Sequence, residues 1–503
     1  MNNTLLEYID EPKLTFAYEQ KVTDPKDGLM LFGPYSNNSI LGVKNIGIVG
    51  PEYLRLKIKE YFRKLHSNIT NPIQELARPS FPGLEAIYGI SINFDSIVEI
   101  DVDLNEINIH LHNKDGAQRV YNLVNIYISG IISYTEKEEK PIDIWFVVIP
   151  EEIFLYGRPK SNIPKSDENF FDGLKRKERI TEQIDLFDQE RIDNLKIAYQ
   201  YEINFHNQLK ARLLEHKIIT QIIRESKFAY DNYLPPEKIE NEKKFDSEKA
   251  WTLSTALYYK LGGLPWKLGD IREGVCYLGL VFKKIEYNDD NQNACCAAQM
   301  FLDNGDGMVF RGNIGPWWIK ENKEFHLHKE AAKDVLTKSL TSYYEKFNNY
   351  PNEVFIHAKT YFNSVEWKGF EEAAEGKCKI VGVRIDTHPV FKLYRQNKYA
   401  TLRGTMLKYT DKRAYLWTKG FLPKLKTQLG LETPNPLEIC ITHGDSDIKT
   451  VCKDILSLSK LNYNSCRYCD GLPVTLKFAD VIGDILTAGK DIKTGVLTFK
   501  HYI

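Results

Sequence analysis

The run Asn45-Ile46-Gly47-Ile48-Val49-Gly50, closed by Pro51, decides how this chain is read. A short unbroken apolar segment of this kind predicts a buried strand, and a proline just behind it suits the first turn of a helix. That helix keeps Leu54, Ile58, Tyr61, Phe62 and Leu65 on one side. The pattern recurs further along. An apolar run over 142–149 stops at Pro150, and residues 218–223 make a third short strand behind a helical segment over 191–214. Strands alternating with helices predict a parallel α/β sheet with covering helices.

Residues 158–180 are polar, contain proline and lysine, and lack periodicity, which predicts an exposed connection. The apolar helix over 251–260 halts at Gly262-Gly263-Leu264-Pro265, and a glycine pair followed by proline ends a helix and, by expectation, a domain. Beyond it come strands over 276–285, 294–302 and 308–311, a long helix over 329–347 and a strand over 354–359. Three consecutive strands, a helix and another strand are the layout of a ribonuclease-H-like fold. A helix over 364–375, a strand over 379–385, and helices over 447–461 and 478–486 complete this second α/β domain. The chain shows no internal repeat.

A length of 503 residues suits two or three domains, and 43% hydrophobic with 12% aromatic residues excludes wholesale disorder and fibrous repeats. Lys and Arg total 67 against 68 Asp and Glu, so any basic surface must be local. The run Lys175 to Arg179 is too mixed with acids to supply one. Residues 1–12 carry acids and no signal-peptide core, and nothing approaches the roughly 20 apolar residues of a membrane span, so a cytoplasmic protein is expected. Eight cysteines, with Cys295 and Cys296 adjacent, do not form a disulfide framework, and reduced thiols are expected. Cys466 and Cys469 have metal-ligand spacing but lack a second pair. His110 with His112, and His326 with His328, alternate as strand residues do, and are read as exposed strand histidines. Trp317, Trp318 and Trp417 are read as buried and given no role.

The chemistry concentrates in Phe205-His206-Asn207-Gln208-Leu209-Lys210 and in Thr220-Gln221-Ile222. His206 and Lys210, four residues apart, share one helix face and can aim two donors at a single anion such as phosphate. Gln221 follows Lys210 by eleven residues, and Lys260 opens Lys-Leu-Gly-Gly at the domain junction.

Together these residues resemble the guide 5′-phosphate pocket of the MID domain in Argonaute proteins. There an aromatic or His residue, a Lys four later, a Gln on the next strand and a Lys before a Gly-Gly pair surround the phosphate. The chain matches at His206, Lys210, Gln221 and Lys260. The resemblance extends to Asp24-Pro25-Lys26-Asp27-Gly28-Leu29 with Gly33-Pro34, and to the Gly262–Trp266 junction. It implies a Rossmann-like MID domain over 41–262 after a lead-in over 1–40, then a ribonuclease-H-like PIWI domain over 263–503. Chains that begin at this point resemble short prokaryotic Argonautes. The stretches 208–216, 266–272 and 294–306 are similar to the Argonaute subunit of systems paired with a TIR-APAZ protein. In many prokaryotic Argonautes the C-terminal carboxylate, here that of Ile503, joins the Gln in holding Mg²⁺ against guide phosphates, which suits a hard cation.

Slicing Argonautes hold two Mg²⁺ ions on PIWI carboxylates. By the matching frames, the two strand positions here are Val281 and Ala358, neither of which can ligate a metal. Asp303, Asp306 and Glu438 are read as loop or surface carboxylates. The resemblance therefore implies no catalysis by this chain. It implies a guide-RNA-dependent sensor of complementary single-stranded DNA from plasmids or phage, in a heterodimer with an APAZ-containing effector. TIR-APAZ, whose NADase activity would belong to the partner, is the first expectation, and sirtuin-APAZ or nuclease-APAZ the second. An active nuclease with substitute acids and a scaffold that binds only protein are the competing readings.

Overall fold

The computed structural model describes residues 5–36, 42–73, 75–138, 140–164, 196–232, 234–270, 272–284, 293–301, 307–311, 317–319, 324–396, 398–489 and 497–503. Most of the 158–180 connection, Asp303 and Asp306 lie outside them, as do the side chains of Cys295, Cys296 and Trp318.

A lead-in strand β1 (Leu5–Tyr8) and helix α1 (Pro25–Phe32) precede a four-stranded parallel sheet. In chain order that sheet contains β2 (Ile46–Gly50), β3 (Val98–Asp101), β4 (Ile144–Ile149) and β5 (Thr220–Arg224), and its spatial order is β3-β2-β4-β5. Every residue of β2 and β4 is buried, as expected for strands covered on both faces. Helix α2 (Glu52–Leu65) buries Leu54, Ile58, Tyr61, Phe62 and Leu65, the stripe read from the sequence. Helix α3 (Gly116–Lys137) covers the opposite face. Helix α4 (Phe205–Leu214) is shorter than the expected 191–214 segment. The Asn204 side chain accepts from the Asn207 amide and starts the helix there, after Tyr201 has bridged to Gly489. Helix α5 (Asp246–Lys260) ends at Gly262, whose φ of 99° favours glycine.

The second sheet has ten strands. It is built on β6 (Val275–Lys284), β7 (Asn293–Phe301) and β8 (Gly307–Arg311), antiparallel neighbours in succession. Helix α6 (Lys329–Phe347) leads to β9 (Glu353–Ala358), and helix α7 (Ser364–Ala374) to β10 (Lys379–Asp386); β6, β9 and β10 run parallel. This is the ribonuclease-H-like arrangement. Then come β11 (Thr405–Thr410), β12 (Arg413–Leu416), a hairpin of β13 (Gly420–Leu422) and β14 (Thr427–Leu429), β15 (Leu437–His443), helices α8 (Ile448–Leu458) and α9 (Val474–Leu486), and β16 (Leu497–Thr498). The sheet order is β1-β11-β12-β15-β10-β9-β6-β7-β8-β16. The lead-in strand is thus an edge of the C-terminal sheet, paired with β11 over Leu5–Tyr8. One apolar core runs through both sheets, from Ile46 and Phe62 to Trp266, Val383 and Ile482.

Several expectations need correction. His110 lies in the helix Leu104–Leu111 and His112 caps its end, because the Asp103 side chain caps the start and Ile107 and Leu111 share a buried face. His326 is buried between Glu324 and Glu366 rather than exposed, and His328 is the cap of α6. Glu438 is neither loop nor surface: it sits on β15, 6% exposed, and pairs with Arg413 and Arg384. Trp317 and Trp417 are buried, and the Trp417 indole donates to the Pro434 carbonyl at 3.1 Å. Cys466 packs in the core and Cys469 lies in a small cluster with Leu422 and Tyr468; none of the cysteines whose side chains are described forms a disulfide. No helix among the described residues is long and apolar enough to cross a membrane.

Candidate phosphate-binding site

Helix α4 carries His206 and Lys210, β5 carries Gln221, and α5 ends on Lys260. The fold brings all four together with the last residue, Ile503. The Lys210 ammonium donates to the Thr220 carbonyl at 2.8 Å and to the Ile503 main-chain oxygen at 2.7 Å. The Lys260 ammonium donates to the same Thr220 carbonyl at 3.0 Å and to Gln221 Oε1 at 2.5 Å. Two cations therefore converge on one carbonyl, both almost wholly buried at 2% and 1% exposure. Among the described residues neither pairs with an Asp or Glu; the one carboxylate oxygen at hand is that of Ile503, on Lys210.

Such a pair is costly to hold charged. Burial pushes Lys210 down to about 7. Burial, and then the neighbouring Lys210, push Lys260 well below its ordinary value. His206 is exposed in the mouth of a deep cleft, surrounded by protein on several sides. Removal from bulk water and the nearby Lys210 hold its imidazole down to about 4, so it is neutral at pH 7. An anion entering this site would meet poised donors and reverse these shifts.

His206 and Gln221 open onto a cleft of about 1040 Å³. Ile149 and Arg224, at the C-terminal ends of β4 and β5, line it, as ligand clefts of open α/β sheets commonly are. Its wall is part apolar, with Ile153, Ile222 and Phe245, and part basic, with Arg158, Lys227 and Arg467. Arg158 and Arg224 both lie on the Phe154 ring, at 3.3 and 3.9 Å from its centroid. Sequence reasoning missed these residues. Arg158 and Arg467 are more than 300 positions apart, and only their neighbours in space mark them.

The two positions compared with metal ligands lie on adjacent strands but on opposite faces. Leu280 on β6 is level with Ala358 on β9 and shares its core cluster, while Val281, one residue on, packs into the other core; both are buried. Next to them stands a group the sequence reading overlooked. Lys283 reaches Asp480 and Asp484 of α9, each at 2.7 Å, and Lys359 approaches Asp480 at 3.6 Å. Burial opposes the Lys283 charge, but the two carboxylates outweigh it and raise the ammonium above its ordinary value. Burial likewise raises the Asp480 carboxyl, and Lys283 more than offsets it. Among the described residues no three His, Cys, Asp or Glu side chains are grouped to hold a metal ion.

The fold is that of the MID and PIWI domains of Argonaute proteins. The chain matches Clostridium butyricum Argonaute, solved with a guide DNA and a 19-mer target DNA, at a TM-score of 0.64 and 17% identity, over 99% of this chain and 55% of that one. It matches Aquifex aeolicus Argonaute at a TM-score of 0.56 and 15% identity, over 100% of this chain and 57% of that one. The chain thus spans little more than half the length of the Argonautes it matches. No family model matches it, and no curated protein does.

Proposed function

We propose that the protein grips the 5′-phosphorylated end of a guide nucleic acid and uses it to detect a complementary strand without cutting it. The observation that carries this reading is the pair of buried lysines, Lys210 and Lys260, converging on one carbonyl beside Gln221 and His206, with only the Ile503 end and no described Asp or Glu beside them. A terminal phosphate supplies the missing charge, and its oxygens accept from both ammonium groups and the imidazole. Gln221 Oε1 and the Ile503 oxygen are hard donors that fit Mg²⁺. Both now accept from lysines, so they would hold the ion only once guide phosphates draw those lysines away. When bound, the ion neutralises phosphates packed against these oxygens.

Loss of cutting is supported by Val281 and Ala358 in place of ligands, and by Lys283 on the same strand as Val281, already paired with Asp480 and Asp484. The guide would be RNA and the target single-stranded DNA from an invading element, sensed in the cytoplasm. The output would pass to an APAZ-containing partner in a heterodimer, first a TIR-APAZ NADase, with sirtuin-APAZ or nuclease-APAZ as the alternatives.

The test compares 5′-phosphorylated with 5′-hydroxyl RNA at fixed salt, on the chain and on a His206→Ala/Lys210→Ala variant. Loss of two charge-assisted bonds should collapse a phosphate preference of about 100-fold toward unity. Equal binding of both ends by the unaltered chain would overturn the reading. A complementary DNA strand should stay intact with Mg²⁺ or Mn²⁺ present.

A further inference from the structure

The helix Pro236–Lys243 lies between β5 and α5 in the chain and brings Glu242 into the wall of the cleft. None of its eight residues is buried. A helix of this length without packing is not stable in water on its own, so its contacts with the body decide where it stands. Glu242 pairs with the Lys249 ammonium of α5 at 2.9 Å. Lys249 also meets Asp246 at 3.5 Å and lies over the Tyr230 ring at 4.2 Å. Just past the helix, the Phe245 ring lies under the Arg78 guanidinium, whose nitrogen is 3.5 Å from Glu248.

Three features set this side of the cleft apart from the phosphate pocket. First, Glu242 and Glu248 are the only Asp or Glu side chains that line the cleft among the described residues. Second, each sits on a cleft cation, Lys249 or Arg78, and so occupies a donor that a polyanion would use. Third, the two acids differ in freedom. Glu248 belongs to α5, which is fixed by the buried Ser247, Ala250 and Trp251, whereas Glu242 rides on a helix with no buried residue. A strand entering the cleft sets its phosphates against both acids, and the Lys249 side chain, 16% exposed, is poorly screened by water there. Glu242 can withdraw without unpacking the core, and Glu248 cannot.

We propose that the helix Pro236–Lys243 is an autoinhibitory flap: in the empty protein it parks Glu242 on Lys249, and the phosphates of an entering strand take over Lys249 and release it. The flap rests on the guide-end reading above and adds a regulation of that site. Closing down on the strand is disfavoured, because it would press the Glu242 carboxylate against phosphates.

The experiment reads amide hydrogen exchange in the helix Pro236–Lys243, and the association rate of a 5′-phosphorylated RNA of about 18 nucleotides, on the full chain and its variants. Without RNA, Glu242→Gln and Lys249→Gln should each speed exchange of the helix about threefold. RNA should speed it to a similar level in the unaltered chain, the reverse of the protection given by a lid that closes on its ligand. Glu242→Gln should bind the RNA about fivefold faster than the unaltered chain. Glu240→Gln removes an equal charge from the same helix, where it pairs with Lys243 in the open, and should change that rate less than about twofold. Equal rates for the two glutamine variants would overturn the flap, as would unchanged exchange in the RNA-free variants or slower exchange of the helix with RNA bound. The two readings fail separately. Equal binding of phosphorylated and hydroxyl ends, with release of the helix intact, would sink the pocket alone; a phosphate preference with no change in exchange would sink the flap alone.

Discussion

Lys210 holds its ammonium between two backbone oxygens at 2.7 and 2.8 Å, and burial lowers it to about 7. The sign of the pH dependence follows. Without an anion this lysine is largely neutral at about pH 8, and a bound phosphate dianion favours its charged form, so binding at that pH takes up protons. Affinity for a 5′-phosphorylated guide should therefore fall as pH rises from about 7 to 9, by up to tenfold per unit for one proton taken up. Calorimetry in two buffers of different ionisation enthalpy should show proton uptake, and Lys210→Met should reduce it by up to one proton. His206, held down to about 4, also gains a proton only when an anion faces it. Removing Lys260 has a different expected result. Lys260→Met strips the donor from Gln221 Oε1 and the second donor from the Thr220 carbonyl, leaving a buried acceptor short of a partner at a cost of about 1–3 kcal/mol. Thermal melting of the unliganded chain should register that loss, tempered by relief of the repulsion between the two lysines.

Helix α9 is the element that couples the two regions. It lies on β6 where Gly279 permits close approach: a Cβ there would sit 2.1 Å from the Thr475 carbonyl oxygen. Gly279→Ala should therefore push α9 outward and destabilise by about 1–3 kcal/mol, read as a lowered urea midpoint. Two turns on, Lys283 clamps Asp480 and Asp484 against the same strand. Lys283→Met leaves the two carboxylates with only Lys359, at 3.6 Å from Asp480, as a cation. Because both acids are more than one-third exposed, the expected loss is only about 1 kcal/mol, reduced further in the Asp480→Asn/Asp484→Asn background. On the non-cutting reading, Val281→Asp/Ala358→Asp should leave the chain inactive, with Lys283 still paired to Asp480 and Asp484; activity with Mn²⁺ in that double variant would contradict this. At its far end α9 reaches the phosphate site, where the Ala488 carbonyl accepts from Glu202 at 2.8 Å and Glu202 in turn accepts from Gln208 of α4 at 3.1 Å.

At the scale of the whole molecule, the N-terminal lead-in is held by charge as well as by pairing. Glu11 receives buried Arg403 at 2.8 Å and buried Lys460 at 2.8 Å. Burial raises its carboxyl, but the two cations outweigh that and hold it below its ordinary value. A depressed carboxylate contributes stability present above the ordinary carboxylate range and lost as pH falls through the folded value, so acid should release this anchor. Glu11→Gln strands two buried cations and should cost about 3–5 kcal/mol in chemical unfolding, with β1 freed from the sheet edge. Much of this architecture was legible in local pattern. The apolar run at Asn45–Gly50, the stripe on α2, the succession of β6 to β10 and the glycines ending α5 are all written within a few residues of themselves, because strand and helix periodicity are local. His206, Lys210, Gln221 and Lys260 were legible too, since their chemistry follows helix and strand spacing and a matching motif. What no local period carries is pairing across the chain. The place of β1 beside β11, the capture of Asp480 by Lys283 and the meeting of Arg78 with Arg467 at one cleft join residues about 200 to 400 positions apart. The sequence alone determined most of the strands and helices that build the two sheets and singled out four side chains that the fold gathers at one place. Only the tertiary structure decided that two lysines share one buried carbonyl, that Lys283 faces Asp480 and Asp484 and that Arg78 and Arg467 line one cleft, because each depends on long-range packing to place the partners and exclude water.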